Sequence, residues 1–128
     1  MDYILLYSFG LVLSFSIIGY GFLLSRIVNK ELLNYNLGYQ GLLGIFFLTV
    51  ISYSTIYFVK HGYFHNLIIH FIGLFSFFYF FKKHKSIFEI KKLISIISIL
   101  FIGILILVNH DDFSYYHLTY SLGLTEDK

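Results

Sequence analysis

The composition of this 128-residue chain exceeds what the surface of a water-soluble domain can accommodate, because 58% of its residues are hydrophobic, 12% are charged and its mean hydropathy is +0.79. The absence of cysteine excludes disulfides, thiolate metal sites and a cysteine nucleophile. A net charge of +2 is too small to indicate binding to nucleic acid. The composition therefore predicts a protein whose first partner is the lipid bilayer.

The first apolar run, residues 3–24, contains no charged residue. As a helix rising about 1.5 Å per residue it reaches about 33 Å, enough to cross a hydrocarbon core of about 30 Å. A cleaved signal peptide is the alternative interpretation. Against it, Asp2 stands where a basic segment is expected, and Arg26 with Lys30 follows where a small-residue cleavage site is expected.

Three further apolar runs follow, at residues 39–59, 63–81 and 93–108. The last has 16 residues and reaches only about 24 Å, so lysines at its start are expected to extend towards the interface. Residues 82–92 are predicted to form a water-side loop between the third and fourth runs. Residues 1–128 are thus predicted to be a single all-α transmembrane region, a polytopic bundle of about four spanning helices.

The basic residues predict the orientation, because Lys and Arg near the ends of spans favour the cytoplasmic side. With four spans, the first and third connectors share one side of the membrane. They hold seven basic residues, Arg26, Lys30, Lys82, Lys83, Lys85, Lys91 and Lys92. The second connector and the tail hold two, Lys60 and Lys128. The N-terminus and the tail from Asn109 are therefore predicted to be extracytoplasmic.

Polar residues interrupt the third run at His65, Asn66 and His70, where they are costly in lipid unless they face other helices or an interface. His61 and His65 are four residues apart and would share a helix face. Two histidines are fewer than the three or four ligands of a usual metal site. The competing interpretation is that these histidines form hydrogen bonds at the end of a span.

Glycines and serines recur at intervals of three or four residues in the first two spans, which permits close approach between helices. They are Gly10, Ser14, Gly38, Gly41 and Gly44. We predict that these small residues serve the packing of one helix against another. A phosphate-binding glycine loop would require a preceding strand and a following lysine.

The segment from Asn109 to Tyr120 holds the only adjacent pair of aspartates, Asp111 and Asp112. Two carboxylates just beyond a span could bind a divalent cation or act as a general base where a lipid-linked substrate meets water. His110 and His117 flank them and are candidates for positioning groups. The alternative is that the acids only end a helix at the water boundary, beside an interfacial belt of tyrosines. Nothing in the sequence requires a cofactor.

Residues Gly41 to Leu74, together with Asn109 to Thr125, resemble a family of bacterial polytopic membrane proteins similar to glycosyltransferases of the C superfamily. The most specific part is the run of Asp111, Asp112, Tyr115, Tyr116 and His117, after which the family's usual proline is replaced by Thr119. The resemblance implies a polyprenyl-phosphate-linked sugar as substrate, and it implies that Asp111 or Asp112 is the catalytic base or a metal ligand.

The position of the acids departs from that superfamily, whose enzymes usually carry the acid after the first span and have eight or more spans. The resemblance therefore implies the N-terminal portion of a longer plasma-membrane protein, with these 128 residues inactive alone. The alternative is a small non-enzymatic membrane protein, such as an accessory subunit or a transporter component. An ion pathway through His70 is a third hypothesis, although the only other histidine, acid or base inside a predicted span is His65, near the start of the third run. The sequence does not indicate an oligomeric state.

Overall fold

The computed structural model describes residues 3–60, 62–84 and 86–106, and all regular structure in these residues is helical. The helices are α1 (Tyr3–Val28), a short 3-10 helix (Lys30–Asn34), α2 (Leu37–Thr55), α3 (Tyr63–His84) and α4 (Ile87–Ile106). The predicted all-α fold is confirmed. The chain divides into two units, Met1–Ser98 and Ile99–Lys128, and α4 runs from the first into the second.

Three of the described helices, α1, α2 and α3, are long and apolar enough to cross a membrane. They overlap the first three predicted spans and differ from them by up to four residues at the ends. In α4 the charged residues Glu89, Lys91 and Lys92 lie within the first two turns, so a long uncharged stretch begins only at Leu93. The described part of α4 ends at Ile106. That α4 crosses the membrane stays a prediction.

The prediction of a water-side loop at residues 82–92 is wrong. α3 continues to His84 and α4 begins at Ile87, which leaves only two residues between them. Lys, Glu, Ile and Phe are all compatible with helix, and no glycine or proline stands in this stretch to end one. The charged residues therefore did not mark the ends of the helices, and the placement of this stretch on the water side stays a prediction.

Asparagine side chains organise the connection between α1 and α2. The backbone is extended at Asn29 and Asn36. The Asn29 side chain accepts a hydrogen bond from the Glu31 amide at 2.9 Å, and the Asn36 side chain accepts one from the Tyr39 amide at the same distance. Both are N-caps, which satisfy amides that lack a partner within the helix. The connector between α1 and α2 is therefore an ordered segment that contains its own short helix.

The core of the first unit is built around α1, which packs against both α2 and α3. Phe22 and Phe77 are completely buried. The Phe77 ring stacks on Phe15 with 4.8 Å between ring centroids, and Phe22 lies 6.1 Å from Phe80. The 3-10 helix adds Leu33, which is also buried. The core thus lies towards the C-terminal ends of α1 and α3, while large apolar side chains elsewhere are exposed, as expected for helices surrounded by lipid.

Candidate functional site

Two hydrogen-bonding contacts join α1 to α3 within the apolar region. The Tyr20 hydroxyl donates to the carbonyl oxygen of Ile69 at 2.8 Å. One turn earlier in α1, Ser16 Oγ lies 3.2 Å from His70 Nδ1 and 3.4 Å from the His70 carbonyl oxygen. Of the two placements predicted for the polar residues of the third run, facing another helix or lying near an interface, His70 has the first.

A second polar contact joins α1, α2 and the connector. Gln40 is completely buried. Its Oε1 accepts a hydrogen bond from Ser25 Oγ at 2.8 Å, and its Nε2 donates to the Leu32 carbonyl oxygen. Both ends of the amide are therefore satisfied, which is the condition for burying such a group at low cost. This arrangement fixes the start of α2 against the end of α1.

Glycines allow the three helices to approach closely. A Cβ placed at Gly19 would overlap the carbonyl oxygen of Gly73 in α3. One at Gly21 would overlap the Gln40 carbonyl oxygen, and one at Gly44 would overlap that of Ile17. The prediction of a packing role is confirmed for Gly44. It is wrong for Gly10, where an added Cβ meets nothing within 4 Å.

An apolar groove of about 430 Å³, here called the Tyr20 groove, lies between α2 and α3 with α1 as its floor. Tyr20 forms part of the floor, and its ring meets Phe47 edge-on with 6.1 Å between centroids. Ile51 lines the α2 side, and Ile68 and Ile72 line the α3 side. The half-buried His65 stands at the start of α3, at one end of the groove. The groove is thus an apolar cleft with a polar side chain at one end.

A smaller groove of about 220 Å³ lies on another side of the contact between α1 and α3. Its lining is apolar, with Leu13 and Phe71 among its members, except for His70. The His70 ring nitrogen already lies within hydrogen-bonding distance of Ser16. The polar side chain of this groove is therefore already in contact with α1.

The catalytic candidates Asp111, Asp112, His110 and His117 lie outside the described residues, as does His61. The proposed pairing of His61 with His65 is therefore not tested. Within residues 3–60, 62–84 and 86–106, no three His, Asp or Glu side chains are grouped so that they could hold a metal ion.

The sequence analysis missed Tyr20, Ser25 and Gln40 as residues that join helices. Gln40 carried a usable signal, because a glutamine in an apolar run needs a partner there. Tyr20 carried none, since an aromatic residue in such a run fits a lipid-facing position as well as a buried one.

The chain matches no protein-family model, no curated protein and no solved structure. Its class therefore rests on its own residues and geometry. Three long apolar helices, glycine contacts between them and internally satisfied polar side chains define a multi-pass integral membrane protein.

Proposed function

We propose that this chain is the membrane-embedded N-terminal part of a bacterial envelope glycosyltransferase that uses a polyprenyl-phosphate-linked sugar. The observation that carries the proposal is the Tyr20 groove, which would hold part of the isoprenoid chain. The catalytic part of the proposal rests on the resemblance of residues 109–125 to that class of enzyme.

The groove suits an isoprenoid chain in size and in lining. Its volume of about 430 Å³ lies within the range of about 300–1,000 Å³ usual for ligand sites. Branched isoleucine side chains and two aromatic rings form its walls, and these pack well against a methyl-branched hydrocarbon. His65, at the predicted extracytoplasmic end of α3, would then lie towards the phosphate of the lipid.

The proposed reaction places one acid of the tail beside the acceptor. Asp111 or Asp112 takes the proton of an acceptor hydroxyl as its oxygen bonds to the anomeric carbon of the sugar. The bond from that carbon to the phosphate oxygen breaks, and the polyprenyl phosphate leaves with the electron pair. His110 or His117 orients the reacting groups. A divalent cation bound by the acids would stabilise the leaving phosphate.

The test is to neutralise each acid in the protein as encoded in its native gene and to measure sugar transfer from a polyprenyl-phosphate donor in membranes. Asp111→Asn or Asp112→Asn should lower the rate by about 100-fold or more, the usual contribution of a general base. Glu126→Gln with Asp127→Asn, in the same tail, is the matched control and should leave the rate unchanged.

A non-enzymatic accessory subunit is the second candidate. It is favoured by the use of Ser16, Tyr20, Ser25 and Gln40 in contacts between helices. This candidate predicts normal membrane levels and no phenotype for both Asp111→Asn and Asp112→Asn. That result would overturn the glycosyltransferase proposal and leave the membrane class intact.

A further inference from the structure

The turn between α3 and α4 concentrates positive charge. Lys82 and Lys83 lie in the last turn of α3, and Lys91 and Lys92 lie near the start of α4. All four are exposed. Among the described residues of this stretch Glu89 is the only acid, and a fifth lysine, Lys85, lies outside the described residues. The four described lysines and Glu89 together carry a charge of +3.

Only two residues separate the helix ends that carry these charges. At about 1.5 Å per residue, Lys82 lies about 3 Å along its helix from the end of α3, and Lys92 lies about 8 Å from the start of α4. A water-side loop of eleven residues would have left the same lysines free to move apart. In the structure these lysines lie instead in the last turn of α3 and the first two turns of α4.

Apolar side chains accompany the lysines. Ile87 and Phe88, at the start of α4, are 72% and 60% exposed. Lys92 Nζ lies 4.6 Å from the centroid of the Phe88 ring, a cation–π contact that holds the ammonium beside an apolar surface. A ring and an aliphatic side chain next to several lysines match a molecule with an anionic head and hydrocarbon tails.

We propose that the corner formed by Lys82, Lys83, Lys91 and Lys92 binds the headgroup of an anionic phospholipid, whose acyl chains contact Ile87 and Phe88. Clusters of four or more basic residues beside a membrane helix attract such lipids, and each lysine strengthens the attraction about fivefold. The proposed site is separate from the Tyr20 groove and does not depend on the glycosyltransferase proposal.

The test is native mass spectrometry of the full chain in detergent with equal amounts of phosphatidylglycerol and phosphatidylcholine. The wild type should retain phosphatidylglycerol in clear preference. Lys82→Gln with Lys83→Gln, and separately Lys91→Gln with Lys92→Gln, should each lower the ratio of retained phosphatidylglycerol to phosphatidylcholine about 25-fold, or about fivefold for each lysine. The matched control is Arg26→Gln with Lys30→Gln, which removes two exposed basic residues from the other connector on the same predicted side and should change the ratio less than threefold.

Two further measurements keep a loss of binding distinct from a loss of folding or of charge alone. Lys82→Arg with Lys83→Arg should keep the preference, and circular dichroism should show unchanged helix content in every variant used. Equal losses in the corner variants and in the Arg26 and Lys30 control would overturn the proposal. Displacement of the lipid by millimolar inorganic phosphate would also overturn it, since the site would then recognise phosphate rather than a lipid.

Discussion

The Tyr20 hydroxyl and the Ile69 carbonyl oxygen lie 2.8 Å apart across the contact between α1 and α3. The Tyr20 side chain reaches past its own helix to satisfy a second lone pair on a backbone carbonyl of its neighbour. The same ring contacts Phe47 of α2. One side chain of α1 therefore contacts both α2 and α3 at the floor of the Tyr20 groove.

Replacing Tyr20 by Phe keeps the ring and removes this hydrogen bond. The free energy of unfolding should fall by about 1 kcal/mol, within the range for single hydrogen bonds between membrane helices. The measurement is unfolding in mixed micelles by titration with sodium dodecyl sulfate. Tyr53→Phe is the control, because Tyr53 is 72% exposed on α2 and its replacement should change the unfolding free energy little. Equal losses in the two variants would contradict the hydrogen bond between Tyr20 and Ile69.

Gln40→Leu should cost about 2 kcal/mol, because it leaves Ser25 Oγ and the Leu32 carbonyl oxygen without this partner in a buried place. In the variant Ser25→Ala with Gln40→Leu the two losses should not add, and a double-mutant cycle should give a coupling of about 1 kcal/mol. Ser54→Ala is the control, since the exposed Ser54 hydroxyl bonds only to the Val50 carbonyl oxygen of its own helix. Strictly additive losses would mean that the two side chains act independently.

Gly19→Ala should destabilise the protein by about 2 kcal/mol, because the added methyl group meets the backbone of Gly73, which cannot rotate away. Gly10→Ala in the same helix is the matched control and should change stability by less than about 0.5 kcal/mol, since nothing lies within 4 Å of the added atom. Thermal unfolding in detergent compares the two. A tolerated Gly19→Ala would show that α1 and α3 do not approach as closely as described.

Ile68→Trp should block the Tyr20 groove, because Ile68 lines its α3 wall. Photo-crosslinking of an isoprenoid phosphate analogue to the purified protein should fall at least fivefold. Leu42→Trp adds the same ring at a position on α2 that is 69% exposed and should leave the yield unchanged. Identical yields from both variants would show that the analogue contacts the lipid-facing surface in general rather than this groove.

The predicted orientation can be checked with single cysteines, because the chain has none of its own. A membrane-impermeant maleimide added to intact cells should label Lys60→Cys, between α2 and α3. It should not label Ser86→Cys, between α3 and α4, until the cells are opened. The reverse pattern would place Lys82, Lys83, Lys91 and Lys92 outside the cell. It would contradict the orientation predicted from the distribution of Lys and Arg.

Hydropathy predicted α1, α2 and α3 because crossing a membrane requires a long uncharged run, and such runs are visible in sequence. It could not predict the contacts between helices. These helices are apolar on every side, so the pattern does not indicate which face of α1 meets α2 or α3. The partners of Tyr20 and Gly19 depend on that rotation. α2 ends at Thr55, four residues before the predicted end of its span. The apolar residues that follow Thr55 lie in a turn, so an apolar run does not by itself locate the end of a helix. The predicted catalytic segment around Asp111 lies outside the described residues and stays a prediction.

The central position of α1 has a consequence for biogenesis. α1 leaves the ribosome before α2 and α3, and each of them makes its main contacts with α1. Each later helix therefore enters the bilayer with its partner already inserted, so neither must wait unpaired for a segment not yet synthesised. The short sequence separation between Gly21 and Gln40 lets the first pair form while α3 is still being translated.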